Sequence, residues 1–283
     1  MIYFTDSEIE ALITEDVPYY DLTTSLLKLE NKPAKIQFAT TDNTVICCTE
    51  EVLKIFSKLS VHTTLFTPSG DYIEGGVKFL EGEGLSKNIH AAWRVSENLL
   101  GFASGIATRT RKLVNAASEV NENIVISTSR RTIPYTKKIA VKAVQSGGAS
   151  IHRLGLSESI LIFKNHYSFL ASLDNLEKRL KSQKKVTGTR TVSVEARTQE
   201  DALKIANAKV DIIQLTDFDP DSITNLKKEL LKIHPAIKIA AAGHITIDNV
   251  KAYAVCGADI LVTSWPYFGS PASIQSIITP LDI

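Results

Sequence analysis

Six short apolar runs, rich in β-branched residues, punctuate the second half of the chain: NIVIST (123–128), ILIF (160–163), TVSVEA (191–196), DIIQL (211–215), IKIAAA (237–242) and DILVTS (259–264). Stretches with helical spacing separate most of them, at 134–147, 168–181, 198–208, 220–233 and 246–256. Strands that alternate with helices predict a parallel sheet with helical crossovers, covered on both faces. Five or more such units in succession fit a (β/α) barrel, placed at about 105–268. The first half reads differently. Thr5-Asp6-Ser7 before EIEALITED predicts a capped helix, and DLTTSLL after Pro18 a turn and a second segment. Residues 34–48 and 61–79 alternate apolar and polar as strands do, with Gly70, Gly75, Gly76, Gly82 and Gly84 marking turns. NIHAAWRVSENLLGFASGIATRTRKLVNAAS then predicts one long helix, with Gly101 and Gly105 as points of close packing.

Composition and charge change this picture in one place. The chain has 283 residues, 44% hydrophobic and 22% charged, enough for one large α/β domain or two smaller ones. Its net charge of +1 is unevenly spread. Between Glu122 and Glu158 there is no acid, while Arg130, Arg131, Lys137, Lys138, Lys142 and Arg153 sum to +6, which leaves −5 for the rest. A basic segment in a slightly acidic chain points to a focused anion site. It argues against nucleic acid, as does the lack of interleaved aromatics for stacking. Cys47, Cys48 and Cys256 show no CxxC or metal spacing, which predicts reduced thiols and a cytoplasmic protein. The start, MIYFTDSEIE, lacks a signal-peptide pattern, and no run of 18 apolar residues predicts a membrane span.

Barrels of this type carry their chemistry at the C-terminal strand ends. The residues there are Ser129, Arg130 and Arg131; Lys164, Asn165 and His166; Glu195; Thr216 and Asp217; Gly243 and His244; Thr263 and Ser264. Arg130 and Arg131 directly follow a predicted strand, and His152 and Arg153 follow the glycine-bearing element QSGGASIHR. Arginine forks match carboxylate and phosphate oxygens two bonds at a time. Lys138 and Lys142, four apart, read instead as a solvated helix face. AAAGHITIDNV opens on Gly243 with Thr246 as a candidate N-cap and Asp248 in a first turn, a phosphate-binding pattern. Glu195 and Asp217 end neighbouring strands, where they could hold Mg²⁺ through water and a diphosphate, or pair with the arginines.

WRVSENLLGFASGIAT, SRRTIP, SGGASIHRLGL, the NH of FKNH, VSVEA and AAGHITIDNVKAYAVCGADILVTS resemble, in order, the motifs of the quinolinate (nicotinate-nucleotide) phosphoribosyltransferases, with EDVPYYDLTT resembling that family's N-terminal stretch. The resemblance covers nearly the whole chain. It implies an α/β fold: an N-terminal α/β sandwich domain (1–104, joined by the tail 269–283) plus an open (β/α) TIM-like barrel (105–268). It implies a cytoplasmic pentosyltransferase, homodimeric or a higher oligomer of dimers. Such an enzyme joins phosphoribosyl diphosphate to quinolinate with Mg²⁺, releasing diphosphate and CO₂. Carried over by motif, Arg130, Arg131, His152, Arg153 and Lys164 would bind substrate, with Arg94 reaching into the partner subunit's site. Glu195 and Asp217 would serve catalysis and Mg²⁺, and the turns Ala242-Gly243-His244 and Thr263-Ser264 would cradle phosphate.

Four departures fall in the site. Phe163 stands where the family has a lysine, with Lys164 one residue later. Leu215-Thr216-Asp217 replaces Leu-Asp-Asn, and Ala240–His244 replaces Glu-Ala-Ser-Gly-Gly. Ser129 and Arg131 replace a threonine and a lysine. These changes resemble the ModD pyrophosphorylase group, which implies the same architecture with an altered acceptor. A non-catalytic anion-binding protein derived from that family is the rival reading.

Overall fold

The computed structural model describes residues 2–29, 31–170, 173–183 and 187–281. They form two compact units. The first comprises the chain up to Arg111, Ile133–Gly148 and the segment from Pro266 onward; the second comprises Lys112–Thr132 and Ala149–Trp265.

In the first unit, α1 (Asp6–Asp16) starts at Thr5 as its sequence predicts. The Thr5 hydroxyl accepts the Glu8 amide at 3.3 Å, and the Glu8 carboxylate accepts the Thr5 amide at 2.7 Å, a reciprocal cap. A shorter helix, α2 (Leu22–Leu26), is capped by Asp21. Four antiparallel strands follow in the order β13-β1-β5-β3: β1 (Pro33–Thr40), β3 (His62–Phe66), β5 (Lys78–Leu85) and β13 (Ile274–Pro280). Along β1, Ala34, Ile36, Phe38 and Thr40 are buried and their neighbours half-buried, the period-2 pattern read from the sequence. The predicted strand 34–48 breaks at Thr40; only β2 (Thr44–Val45) continues it, paired with β4 (Tyr72–Ile73). Sequence alternation assigned nothing to 49–58, where α3 (Thr49–Lys58) buries Thr49, Val52, Ile55 and Phe56 at helical spacing. The long helix α4 (Ser86–Ser118) forms as predicted. Gly105 is required there, because a Cβ would lie 2.9 Å from the Ser270 carbonyl.

The second unit holds seven parallel strands: β6 (Val125–Thr128), β7 (Ser150–Ile151), β8 (Ile160–Ile162), β9 (Val192–Ala196), β10 (Ile212–Thr216), β11 (Lys238–Ala242) and β12 (Ile260–Thr263). Their order is β7-β6-β12-β11-β10-β9-β8. The last strand thus pairs back onto β6, Leu261 opposite Ile126, while the consecutive strands β7 and β8 form the two edges. This is a barrel opened between β7 and β8. All five residues of β9 are buried, as a sheet covered on both faces requires. Two aspartates set neighbouring strands in register: Asp211 accepts the Val192 amide and Asp259 the Ile239 amide, each at 2.7 Å.

The helices are α5 (Lys137–Ser146), which groups with the first unit, then α6 (Lys164–Tyr167), α7 (Leu176–Ser182), α8 (Gln199–Asn207), α9 (Pro220–Ile233) and α10 (Val250–Val255). Thr198 and Asp219 cap α8 and α9. The predicted helix 168–181 is instead a short turn of 3₁₀ helix (Leu173–Asn175) leading into α7. Among the described residues no helix is long and apolar enough to cross a membrane.

Candidate active site

The opening between β7 and β8 shapes the first part of the site. Arg153 follows β7 and is 8% exposed. Its Nη2 donates to the Leu156 carbonyl at 3.2 Å and the Ser159 carbonyl at 2.9 Å, while its buried Nε has no partner. It lines a cavity of about 390 Å³ with Ile162, His166, Tyr167, Leu176 and Leu180. Burial and the charge of Arg130 both press the Arg153 guanidinium's pKa down. His152 precedes it, and burial followed by the Arg153 charge holds its imidazole below the usual range. Arg130 and Arg131 extend past β6, both exposed.

A second cavity of about 360 Å³ lies beyond the ends of β8 and β9, lined by Phe163, Lys164, Asn165, His166, Glu195 and Arg197. Its floor is Glu195, 3% exposed. The Lys164 amide donates to Glu195 Oε2 at 3.1 Å. Lys164 is not on a strand: β8 ends at Ile162, and Lys164 is the first residue of α6. Face alternation therefore does not decide its direction, and its exposed side chain lines the same cavity as Glu195. Phe163 stacks on His166, ring centroids 5.8 Å apart, and the Phe163 amide donates to His166 Nδ1 at 2.9 Å. Tyr167 stays a neutral phenol, its pKa pushed up to about 12 by burial and by the charges of Asp201 and Glu195.

Arg197 is not among the strand-end residues that the sequence points to. Its Nη2 donates to Glu195 Oε1 at 3.2 Å and its Nη1 to Asp217 Oδ2 at 3.3 Å, so one guanidinium joins the two strand-end acids. The only local signal is proximity: Arg197 lies two residues after Glu195, just past the end of β9 at Ala196. The acids were expected to hold Mg²⁺ or to pair with arginines, and the arginine pairing is what forms, through Arg197. As a protein-held magnesium centre the pair fits poorly. Both Glu195 oxygens already accept N–H bonds, a cation already bridges the acids, and among the described residues no group of three His, Cys, Asp or Glu side chains converges.

Asp217 sits in the left-handed backbone region at φ +63°, rare for a residue with a side chain, and its amide donates to the Ala242 carbonyl at 2.9 Å. Gly243 packs beneath it at φ +135°, where a Cβ would lie 2.6 Å from Asp217 Oδ1. Gly243→Ala is therefore expected to lose about 1–3 kcal/mol of stability in chemical denaturation. Unchanged stability would show that the turn tolerates a side chain.

The predicted phosphate turns are occupied by local bonds. The Thr263 hydroxyl donates to the Ile245 carbonyl at 2.6 Å and accepts the Trp265 amide at 3.0 Å, which leaves it no proton for a phosphate. Thr246 caps the turn that leads into α10: its hydroxyl accepts the Asp248 amide at 3.3 Å and its carbonyl the Val250 amide at 3.0 Å. α10 proper starts at Val250, and Asn249 Oδ1 accepts the Thr246 amide at 2.8 Å, so that N–H is not free for a ligand. Ala242 is buried; Gly243, His244 and Ser264 remain accessible beside it. Arg94 lies on α4 in the first unit, half exposed, bonded to Glu97 at 2.8 Å and stacked 4.5 Å over Trp93.

The basic window divides. Lys142 is not solvated: it is 8% exposed, and its ammonium binds Glu50 at 2.7 Å and also Glu51. Lys138 binds both oxygens of Glu8 at 2.7 Å, although part of its side chain is in water. The i, i+4 spacing marks one helix face, but that face meets acids instead of solvent.

Comparisons with known proteins agree with this geometry. The sequence pattern of the quinolinate phosphoribosyl transferase N-terminal domain matches residues 21–104, and that of the C-terminal domain residues 106–272. A Pasteurella multocida protein named "Putative pyrophosphorylase ModD" is 31% identical over 98% of this chain and 99% of its own. The protein of that name from Rhodobacter capsulatus is 33% identical over 88% and 95%. In fold, the nicotinate-nucleotide pyrophosphorylase from Francisella tularensis superposes with a TM-score of 0.88 at 21% identity, covering 98% of each chain. With both domain patterns, an opened barrel and an arginine-lined site in agreement, this chain belongs to the quinolinate phosphoribosyltransferase family.

Proposed function

We propose that the protein transfers the phosphoribosyl group of phosphoribosyl diphosphate to the ring nitrogen of a small aromatic carboxylic acid. The observation that carries this reading is Arg153, buried at the barrel opening with an unpartnered Nε beside an apolar cavity. A flat apolar ring bearing a carboxylate suits those surroundings. The acceptor nitrogen forms a bond to ribose C1 as the C1–oxygen bond to diphosphate breaks, and the electron pair leaves with the diphosphate. The Glu195 carboxylate, close to the neighbouring cavity, stabilises the positive charge that develops at C1. Arg130 and Arg131 hold anionic oxygens at the rim, and Lys164, His152, Gly243, His244 and Ser264 supply further contacts.

Magnesium is expected to arrive bound to the diphosphate. The exposed Tyr19, Leu22 and Leu26 support a homodimer in which Arg94 reaches the partner's site. The buried, unpaired cysteines suit a cytoplasmic setting. The Phe163–His166 stack, standing where the family has a lysine, favours an acceptor other than quinolinate.

Diphosphate release from phosphoribosyl diphosphate across a panel of aromatic acids tests the reading. Release with at least one acid is expected. Binding of acids without release from any would favour a non-catalytic binding protein.

A further inference from the structure

We propose that Arg197 is the resident cation of the Glu195–Asp217 pair, occupying the place a divalent metal would need and keeping these two carboxylates from binding one. Three observations carry this. First, the guanidinium contacts both acids at once, at 3.2 and 3.3 Å, through separate nitrogens. Second, Glu195 is 3% exposed, and its other oxygen is taken by the Lys164 amide, so its coordination is complete without a metal. A buried carboxylate without such partners would be strongly disfavoured. Third, Asp217 is held for this contact by a left-handed backbone conformation, with Gly243 leaving room for its carboxylate. A segment that keeps a strained conformation beside a cavity marks a position the fold over-determines.

The charges support the same assignment. Glu195 and Asp217 face Arg197 directly, and Lys164 lines the cavity with Glu195. Two cations beside two acids leave no net negative charge to attract a divalent ion, and such an ion would sit against the guanidinium's charge. Arginine also cannot step aside by losing its proton.

The test uses the full chain without substrate, so its failure is distinct from failure of the transferase reading. Mn²⁺ is titrated in, and the free ion is followed by electron paramagnetic resonance. The wild-type protein is expected to bind Mn²⁺ only weakly. Arg197→Gln, which keeps N–H donors but no charge, is expected to gain one site about 10-fold tighter or more. Asp217→Asn added to that variant should remove the gained site, and Arg197→Lys should behave as wild type. Circular dichroism confirms that each variant is folded. The proposal is overturned if wild type binds Mn²⁺ as tightly as Arg197→Gln, or if a folded Arg197→Gln gains no site.

Discussion

Lys142→Ala is expected to destabilise the protein by about 3–5 kcal/mol, because it strands the buried Glu51 carboxylate, and the half-buried Glu50 beside it, without their compensating charge. The lysine is 8% exposed and Glu51 2%, so water cannot replace the lost ammonium. A drop in Tm on the order of 10 °C should follow in thermal unfolding. Removing the charges together should recover much of the loss, so Lys142→Met combined with Glu50→Gln and Glu51→Gln should lie well above Lys142→Ala. If Lys142→Ala melts with the wild type, the network contributes nothing.

Acid titration gives the same network a second reading. Burial alone would raise the Glu50 carboxyl, but hydrogen bonds from Lys142 and from the Ser69 side chain and amide outweigh it and hold the pKa at about 2. In the unfolded chain the carboxyl returns to its ordinary value of 4.5. Its contribution to stability is therefore complete above about pH 4.5 and is lost as pH falls toward 2. The slope of stability against pH in that window should flatten in the Lys142 variants. An unchanged slope would mean that other groups set the acid limb.

Arg130→Ala is expected to lower turnover about 100- to 1,000-fold while leaving the fold intact, as a lost charged contact to a reacting anion commonly does. Its side chain is exposed, so nothing in the fold depends on it. Arg153→Ala should lose as much activity and also about 1–3 kcal/mol of stability, since its Nη2 holds the carbonyls of Leu156 and Ser159. The contrast between the two separates ligand binding from scaffolding. Full activity in Arg130→Ala would remove it from the site.

Most elements of both halves were legible because their signals are local, whereas α3 and the two-residue β7 were not. Apolar runs of four to six residues become parallel strands wherever both faces are covered, and β9 shows this in full. Thr5 and Glu8 carry their cap within one turn. Strand ends, and with them Arg130, Arg153, Glu195 and Asp217, followed from strand positions alone.

Tertiary structure decided how charges are spent. Lys142 reads as solvated surface in its own helix, and only the fold brings it to Glu50 and Glu51, 92 and 91 residues away. Arg197 meets Glu195 two residues away, but its second acid lies past the end of the adjacent strand, 20 residues on. Thr263 looks like a phosphate ligand until the fold gives its proton to Ile245. Periodicity reports which side of an element is apolar. It cannot report which partner a polar group meets, because that depends on segments far apart in the chain that only packing brings within hydrogen-bond reach.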